Sequence, residues 1–265
     1  MANIELTKTL SNRPDFRPIP MENNGINISD FDGDIYRVFS LGRFKQLLKT
    51  SQLGLVNPSM WDDPFENFFL KANVVESDSS VSSLENLYKS WYGQCWTYTR
   101  ESDAIWRIYG GESKQGVRVK TNIRKLFSSF WNEADIHSRN KYYIGAVKYH
   151  SRNEIEELMR KTSFLDVAIG GRNHVFAELL CVKRLEFAHE DEVRLLYNDL
   201  EGFEDGRVYN KIIKYNEVFE EVCIDPRIAL EEYKLIKGEL ISLGCEIPIT
   251  QSDLYRVEFE PIRLM

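Results

Sequence analysis

The segment Glu190-Asp191-Glu192-Val193-Arg194-Leu195-Leu196-Tyr197 puts two carboxylates and an arginine at the head of, and inside, a β-branched and aromatic run that reads as a strand. Side chains alternate along a strand, so this reading sets Glu190, Glu192 and Arg194 on one face and Val193, Leu195 and Tyr197 on the other. The apolar row asks for a core. The polar row is ordinary if it faces solvent, and is equipment for chemistry if it lines a cleft.

With 265 residues, 43% of them hydrophobic, the chain can bury one large core or two modest ones, and one compact domain is expected. The net charge of −7 excludes a broadly basic surface for sequence-blind nucleic-acid binding and leaves room only for a local basic groove. Cys95, Cys181, Cys223 and Cys245 stand far apart with no paired spacing, and the chain has only four histidines. Neither a zinc site nor a disulfide framework is indicated, so no metal is expected and buried free thiols are. No signal-peptide pattern and no apolar run of membrane-spanning length is present, which makes a cytoplasmic protein without a membrane partner the expectation.

Residues 1–33 carry Pro14, Pro18, Pro20, Asn23-Asn24 and Gly25 with little hydrophobic periodicity, and read as an extended N-terminal arm before a single domain over 34–265. Asp34 to Phe39 alternates as a strand, and Ser40 suits the N-cap of a helix with Phe44, Leu47 and Leu48 on one stripe. Asn57-Pro58 and Asp62-Asp63-Pro64 force non-helical backbone around Trp61, because a residue before proline is pushed out of the α region. In this rigid loop Asp63 or Glu66 is expected to accept hydrogen bonds from backbone amides or from Arg37. Glu76 to Ser83 reads as a mobile surface loop. Strands are expected at Gly93–Tyr98, Gly116–Lys120, Tyr142–Tyr149, Val208–Tyr215, Glu221–Ile224 and Tyr255–Phe259, besides the acidic strand. Helices are expected at Asp103–Tyr109, Asn153–Leu165, within Val175–Arg184, and at Ala229–Leu243, closed by Gly244. Strands outnumber long helices, and the helices fall between them irregularly. That predicts a mixed α+β fold rather than a doubly wound one.

No Walker loop or GxGxxG is present, and the histidines have no nucleophile-elbow partner. What remains is aromatic, arginine and acidic residues at strand ends and loops: Tyr36-Arg37, the loop from Trp61 to Glu66, Cys95-Trp96-Thr97, Trp106-Arg107-Ile108-Tyr109, and Glu190, Glu192 and Arg194. Each has a bland counterpart. Trp96 and Trp106 are more often core aromatics than ligand-stacking ones. Arg37 can pair with Asp63 or Glu66, and Glu190 and Glu192 can be a solvated edge. Together, a proline-stiffened loop and an aromatic-rich strand are the parts of a preformed small-molecule pocket.

In their order, Tyr36-Arg37, Asp62-Asp63-Pro64-Phe65-Glu66, Cys95-Trp96-Thr97, Trp106-Arg107-Ile108-Tyr109, Gly116-Val117, Lys183 and Glu190-Asp191-Glu192-Val193-Arg194-Leu195 resemble a bacterial domain-of-unknown-function family, the one numbered twenty-nine seventy-one. Where that family has a serine after a Cys-Phe pair, this chain has Trp96-Thr97. The order Arg37, Thr97, Glu190-x-Glu192 is also similar to the Arg, Ser/Thr, Glu-x-Glu order of ADP-ribosyltransferases. That resemblance implies largely antiparallel sheets forming a cleft that holds NAD as a substrate. It implies Arg37 at the NAD phosphates or nicotinamide ribose, Thr97 ordering the site, Glu192 on the ribose 2′-hydroxyl and Glu190 at the acceptor. Tyr36, Trp96, Trp106, Tyr109 and Arg194 complete the expected NAD-binding set.

Three functions follow as expectations. The first is an NAD-dependent ADP-ribosyltransferase, a toxin or anti-phage effector modifying nucleic acid or protein, with an antitoxin-type protein as a partner. The second is a non-enzymatic module that binds a ligand or partner. The third is a nuclease with a divalent metal among Asp63, Glu66, Glu190 and Glu192, because hard cations want several carboxylates.

Overall fold

A computed structural model describes residues 20–61, 63, 73–75, 81–83, 89–111, 114–133, 135, 137–161, 173–199 and 207–256. Its strands are β1 (Gly25–Ile26), β2 (Asp34–Ser40), β3 (Gln52–Val56), β4 (Asn73–Val75), β5 (Val81–Ser83), β6 (Trp91–Thr97) and β7 (Gly116–Asn122). They continue with β8 (Tyr142–Ala146), β9 (Lys148–His150), β10 (Val182–Arg184), β11 (Glu192–Asn198), β12 (Val208–Ile212), β13 (Glu221–Ile224) and β14 (Ile249–Gln251). The longer helices are α1 (Leu41–Thr50), α2 (Asp103–Gly110), α3 (Ile123–Ser128), α4 (Arg152–Lys161), α5 (Asn173–Leu179) and α6 (Leu230–Ser242).

Among the described residues, ten strands form one sheet in the order β1-β8-β11-β6-β2-β7-β13-β14, with β3 also on β6 and β12 on β3. Its pairings are antiparallel except β1 with β8 and β13 with β14. The fold is α+β with a mixed, mostly antiparallel open sheet, as the element pattern predicts.

One face carries the main core. Ile35, Val117, Val119, Val193, Leu195, Val222 and Ile224 from the sheet meet Phe44, Leu47 and Leu48 of α1, Leu126 and Phe127 of α3, and Ile236 and Leu240 of α6. The helical positions recur at three- and four-residue intervals, which is why each helix buries one stripe. Ser40 caps α1 by accepting from the Arg43 N–H, and Ser102 caps α2 by accepting from the Ile105 N–H. The opposite face holds two smaller clusters. Trp91, Tyr143 and Leu196 pack under Phe176, Ala177 and Leu180, and Val38 and Cys223 pack under Ile105 and Trp106.

The sheet forks at β6. One edge of β6 pairs with β11 over its whole length, from Glu192 opposite Thr97 to Asn198 opposite Trp91. The other edge meets β2 only at Tyr36–Thr97 and β3 only at Val56–Gly93. Between those contacts β2 and β3 diverge, joined by α1 and by Ser51 in the left-handed conformation (φ 55°). Side chains complete the exposed backbone there: Arg37 Nη1 donates to the Cys95 carbonyl, and Gln94 Nε2 donates to the Gly54 carbonyl (2.9 Å).

Several expectations are corrected. Residues 20–33 are packed rather than an arm: Met21, Ile26 and Phe31 are buried, and β1 pairs with β8. Residues 1–19 lie outside the described residues. Val81–Ser83, expected in a loop, is a strand paired with β4. The run Tyr142–Tyr149 is two strands in different sheets, because the Val147 N–H turns to the Glu192 carbonyl and β9 pairs with β10. The strand expected at Tyr255–Phe259 begins in a turn, with its remainder largely outside the described residues, while the short β14 was missed.

Candidate active site

Glu192 opens β11 and is the anchor of the site. It is 4% exposed, and its carboxylate is gripped from both sides. Arg194, two residues along the same face, donates from Nε and Nη2 to Oε2, each at 2.7 Å, and Lys183 Nζ donates to Oε1 at 2.7 Å. The polar row is therefore neither a solvated edge nor a simple strand face. Glu190 is not on the strand at all: it ends a 3-10 turn over Leu185–Glu190, and Asp191 follows in the left-handed region (φ 44°). That turn returns the Glu190 carboxylate to its neighbour, where Lys183 Nζ also donates to Glu190 Oε2 at 2.7 Å.

Burial opposes the charge on Glu192, but Arg194, the hydrogen bond with Glu190, and Lys183 outweigh it and hold the carboxyl far below the ordinary range. Glu190 goes the other way. Burial, and then its hydrogen bond to Glu192, push it up to about 7 against the pull of Lys183.

A cavity of 540 Å³ opens beside this pair, lined by Arg37, Gly54, Val56, Met60, Trp61, Asp63, Gly93, Gln94, Cys95, Ile108, Tyr109, Lys183, Phe187, His189, Glu190 and Glu192. Arg37 and Glu192, far apart in sequence, thus share one cleft. A smaller void of about 30 Å³ next to it is lined by Tyr36, Thr97 and Trp96 among others, with Arg37, Cys95, Tyr109, Glu190 and Glu192 common to both. Arg37 reaches the cleft through the fork, its guanidinium 5.1 Å from the Phe39 ring; burial lowers its pKa, and its buried Nε has no hydrogen-bond partner among the described residues.

The other expected residues divide. Thr97 Oγ1 donates to the Glu190 carbonyl (2.6 Å) and accepts from the Thr99 N–H (3.0 Å), so it fixes the turn that carries Glu190. Tyr109, 42% exposed, stands at the mouth of the cavity. Tyr36 borders only the small void and lies under Arg118, whose guanidinium is 5.5 Å from its ring. Three expected ligand-binding residues are turned inward instead. The Trp96 indole packs against Phe219 in the main core and donates to Gln94 Oε1 (2.9 Å). Trp106, 1% exposed, is the centre of the α2 cluster and donates to Glu101 Oε1 (2.7 Å). Arg194, also 1% exposed, braces Glu192, donates to the Leu180 carbonyl (2.6 Å) and stacks 4.4 Å from the Trp61 ring. Large rings and a long guanidinium gain more from burial with a satisfied polar end than from facing an open cleft.

Trp61 lies over Gly93, where an added Cβ would come 2.7 Å from its ring. Asn57 anchors the start of its loop by accepting from the Ser59 N–H and donating to the Trp91 carbonyl (3.0 Å each). The Asp63 carboxylate pairs with Arg184 at 3.0 Å, while Arg37 is held at the fork. The expectations for Asp62, Pro64, Phe65 and Glu66 lie outside the described residues. Lys183 was not singled out as a site residue. Its signal was its place before the acidic strand in the family resemblance, since the basic pair Lys183-Arg184 says nothing by itself. Among the described residues, no group of three His, Cys, Asp or Glu side chains converges as metal ligands would.

The family model described as Protein of unknown function (DUF2971) matches residues 105–195, a span that contains Lys183, Glu190 and Glu192 and excludes Arg37 and Thr97. No curated protein matches the sequence. Among solved structures, the chain is similar to Thermus sp. 2.9 DarT in complex with ADP-ribosylated ssDNA, at 10% identity and a TM-score of 0.40, over 86% of this chain and 96% of that one. DarT from the same source in complex with NAD+ matches at 11% identity and a TM-score of 0.39, over 85% and 98%. Likeness at this level decides neither the fold nor the chemistry.

Proposed function

We propose that the cavity binds NAD as a substrate and that the protein is an NAD-consuming ADP-ribosyltransferase, with nucleic acid or protein as the acceptor. The observation that carries this reading is Glu192, a buried carboxylate held ionised at the wall of a 540 Å³ cavity that Arg37 also lines. Ligand pockets run from about 300 to 1,000 Å³, so the volume suits a nucleotide-sized ligand. Arg37 lines the cavity with a guanidinium, the kind of group that phosphate oxygens pair with. With Trp96 and Trp106 in the core, Tyr109, Trp61 and Phe187 supply the rings against which a flat base would lie.

The reaction balances on these residues. The bond from ribose C1′ to nicotinamide breaks, and neutral nicotinamide leaves with the electron pair. Glu192, fixed in place before the reaction, stabilises the positive charge that develops on the ribose. The acceptor oxygen or nitrogen bonds to C1′ and gives its proton to Glu190, whose raised pKa near 7 suits a base at neutral pH. With water as acceptor the products are ADP-ribose and nicotinamide.

The nuclease reading is disfavoured by a specific contact: the Lys183 ammonium already sits 2.7 Å from both Glu190 and Glu192, where a divalent cation would have to bind. Incubation of the protein with labelled NAD and cell lysate tests the proposal. Release of nicotinamide, with label on a nucleic-acid or protein fraction, is the expected result. Intact NAD after prolonged incubation favours the binding module instead.

A further inference from the structure

Glu192 is gripped by an element outside the main sheet. The parallel ribbon β9–β10 sets Lys183 directly opposite Tyr149 in register. The Tyr149 hydroxyl accepts from the Glu192 N–H at 2.8 Å, and the Val147 N–H, just before the ribbon, donates to the Glu192 carbonyl at 2.9 Å. Lys183 adds the side-chain grip. Backbone N–H, backbone carbonyl and carboxylate of one residue are thus all fixed from the chain around this ribbon, although β11 already pairs on both edges with β6 and β8. A strand end does not need that many anchors to stay in a sheet. A carboxylate that must not move during a reaction does.

The second part of the observation is charge. Glu190 and Glu192 are close enough to share a hydrogen bond, and two ionised carboxylates that close repel strongly in a site largely shut off from water unless a cation stands between them. Lys183, 7% exposed, meets each at 2.7 Å. Other ionisable groups border the pair: Arg37 from β2, Cys95 from β6, Tyr109 from α2, Tyr149 from β9, His189 beside Glu190 and Arg194 along β11. Arg194 grips Glu192 from the far side, whereas Lys183 is hydrogen-bonded to both acids. A compact ammonium with several donors suits a bridge between two carboxylates at an angle better than a flat guanidinium fork does.

We propose that Lys183 is a positioning residue that holds Glu190 and Glu192 as one bridged pair, with Glu192 fixed at the cavity wall. As a role in catalysis, this rests on the NAD-consuming reading above. The Lys183 ammonium is engaged by both acids, and it acts through them.

The test is a carboxyl-carbon NMR titration of Glu190 and Glu192 in the full chain, wild type and Lys183→Met, with pH–rate profiles of NAD consumption alongside. In the wild type the two carboxyls are expected to titrate as a linked pair, with Glu192 still ionised at about pH 4. In Lys183→Met both midpoints are expected to rise by about one unit or more, and kcat below the new midpoint to fall about tenfold per unit, with KM for NAD changed far less. The double variant Lys183→Met/Glu190→Gln removes the cation together with the surplus acid, so Glu192 should again be ionised at about pH 4; this arm also covers a Lys183→Met protein that does not fold. Independent titration of the two acids in the wild type, or unmoved midpoints in folded Lys183→Met, overturns the proposal. Linked titration in a wild-type protein that leaves NAD intact supports the positioning role and removes the transferase reading, so the two failures are distinguishable.

Discussion

Two buried charge clusters sit on one face of the same sheet, on either side of Tyr36, and use their acids differently. In the first, Arg118, 3% exposed, meets Glu221 at 2.6 Å and Glu101 at 3.4 Å, and also donates to the Arg100 carbonyl at 3.0 Å. Glu101 is further taken by the Trp106 indole at 2.7 Å and by the Ser252 hydroxyl. Those acids end on structural donors from α2, β7 and the segment after β14. In the second, Arg194 and Lys183 hold Glu192 by its two oxygens, Oε2 and Oε1, and the residue still lines the open 540 Å³ cavity. The first cluster ties elements together; the second presents a charge to a space. Burial and an arginine are common to both, so neither feature alone marks a functional site. The open side does.

That contrast breaks if the two clusters respond alike to mutation. Arg118→Met should have the largest effect on stability, because removing one partner of a buried ion network costs about 3–5 kcal/mol. Glu221 is 28% exposed and regains some water, which sets the loss toward the lower end of that range. Denaturant unfolding measures it, and NAD turnover per folded molecule should stay at the wild-type level. Turnover that falls with no loss of stability would erase the distinction.

Next in size is Arg37→Lys, which keeps the charge and loses the flat fork that reaches Cys95. One charge-assisted contact is worth about 1.5–3 kcal/mol, so KM for NAD should rise about tenfold or more, and loss of the bond to the Cys95 carbonyl should lower the unfolding midpoint as well. Ser40→Ala removes the α1 cap and should cost about 1 kcal/mol of stability without touching turnover, a control for effects that reach the fork only through the helix.

The acid pair also predicts a pH dependence of stability. Glu190 has an ordinary pKa of 4.5 when unfolded and a folded value raised to about 7, so the folded state binds the proton more tightly. Its contribution is fully present below the unfolded value and is lost as pH rises through the folded one. Glu192, lowered by its cations, contributes above its unfolded value and keeps that contribution across the same window. Stability of the wild type should therefore decline between about pH 5 and pH 7 relative to Glu190→Gln, as thermal unfolding at each pH would read. A wild-type curve that runs parallel to the variant's would place Glu190 in ordinary solvent.

Much of the frame was legible because it depends on local pattern. Alternation from Asp34 to Phe39, the Ser40 cap and the Phe44-Leu47-Leu48 stripe specify β2 and α1 without outside help. Arg37 and Glu192 were singled out from the sequence and given their roles by a resemblance, and they line one cleft because β6 forks, a feature of pairing that no single segment encodes. Glu190 was misread as a strand residue because Asp191 adopts a left-handed turn, which an aspartate tolerates but does not announce. Trp96, Trp106 and Arg194 illustrate the converse. Their residue types suit both ligand contact and core bracing, and only the packing of Phe219, Glu101 and Leu180 around them decides. Lys183 depends on a ribbon of three paired residues, too short to carry a pattern.

In the proposed reaction the charge on Glu192 acts on bound NAD. Glu192→Gln keeps the shape and removes the charge, so NAD binding by calorimetry should persist while nicotinamide release falls by about a hundredfold or more. Equal nicotinamide release by the wild type and Glu192→Gln, or a wild type that neither binds nor consumes NAD, would contradict it.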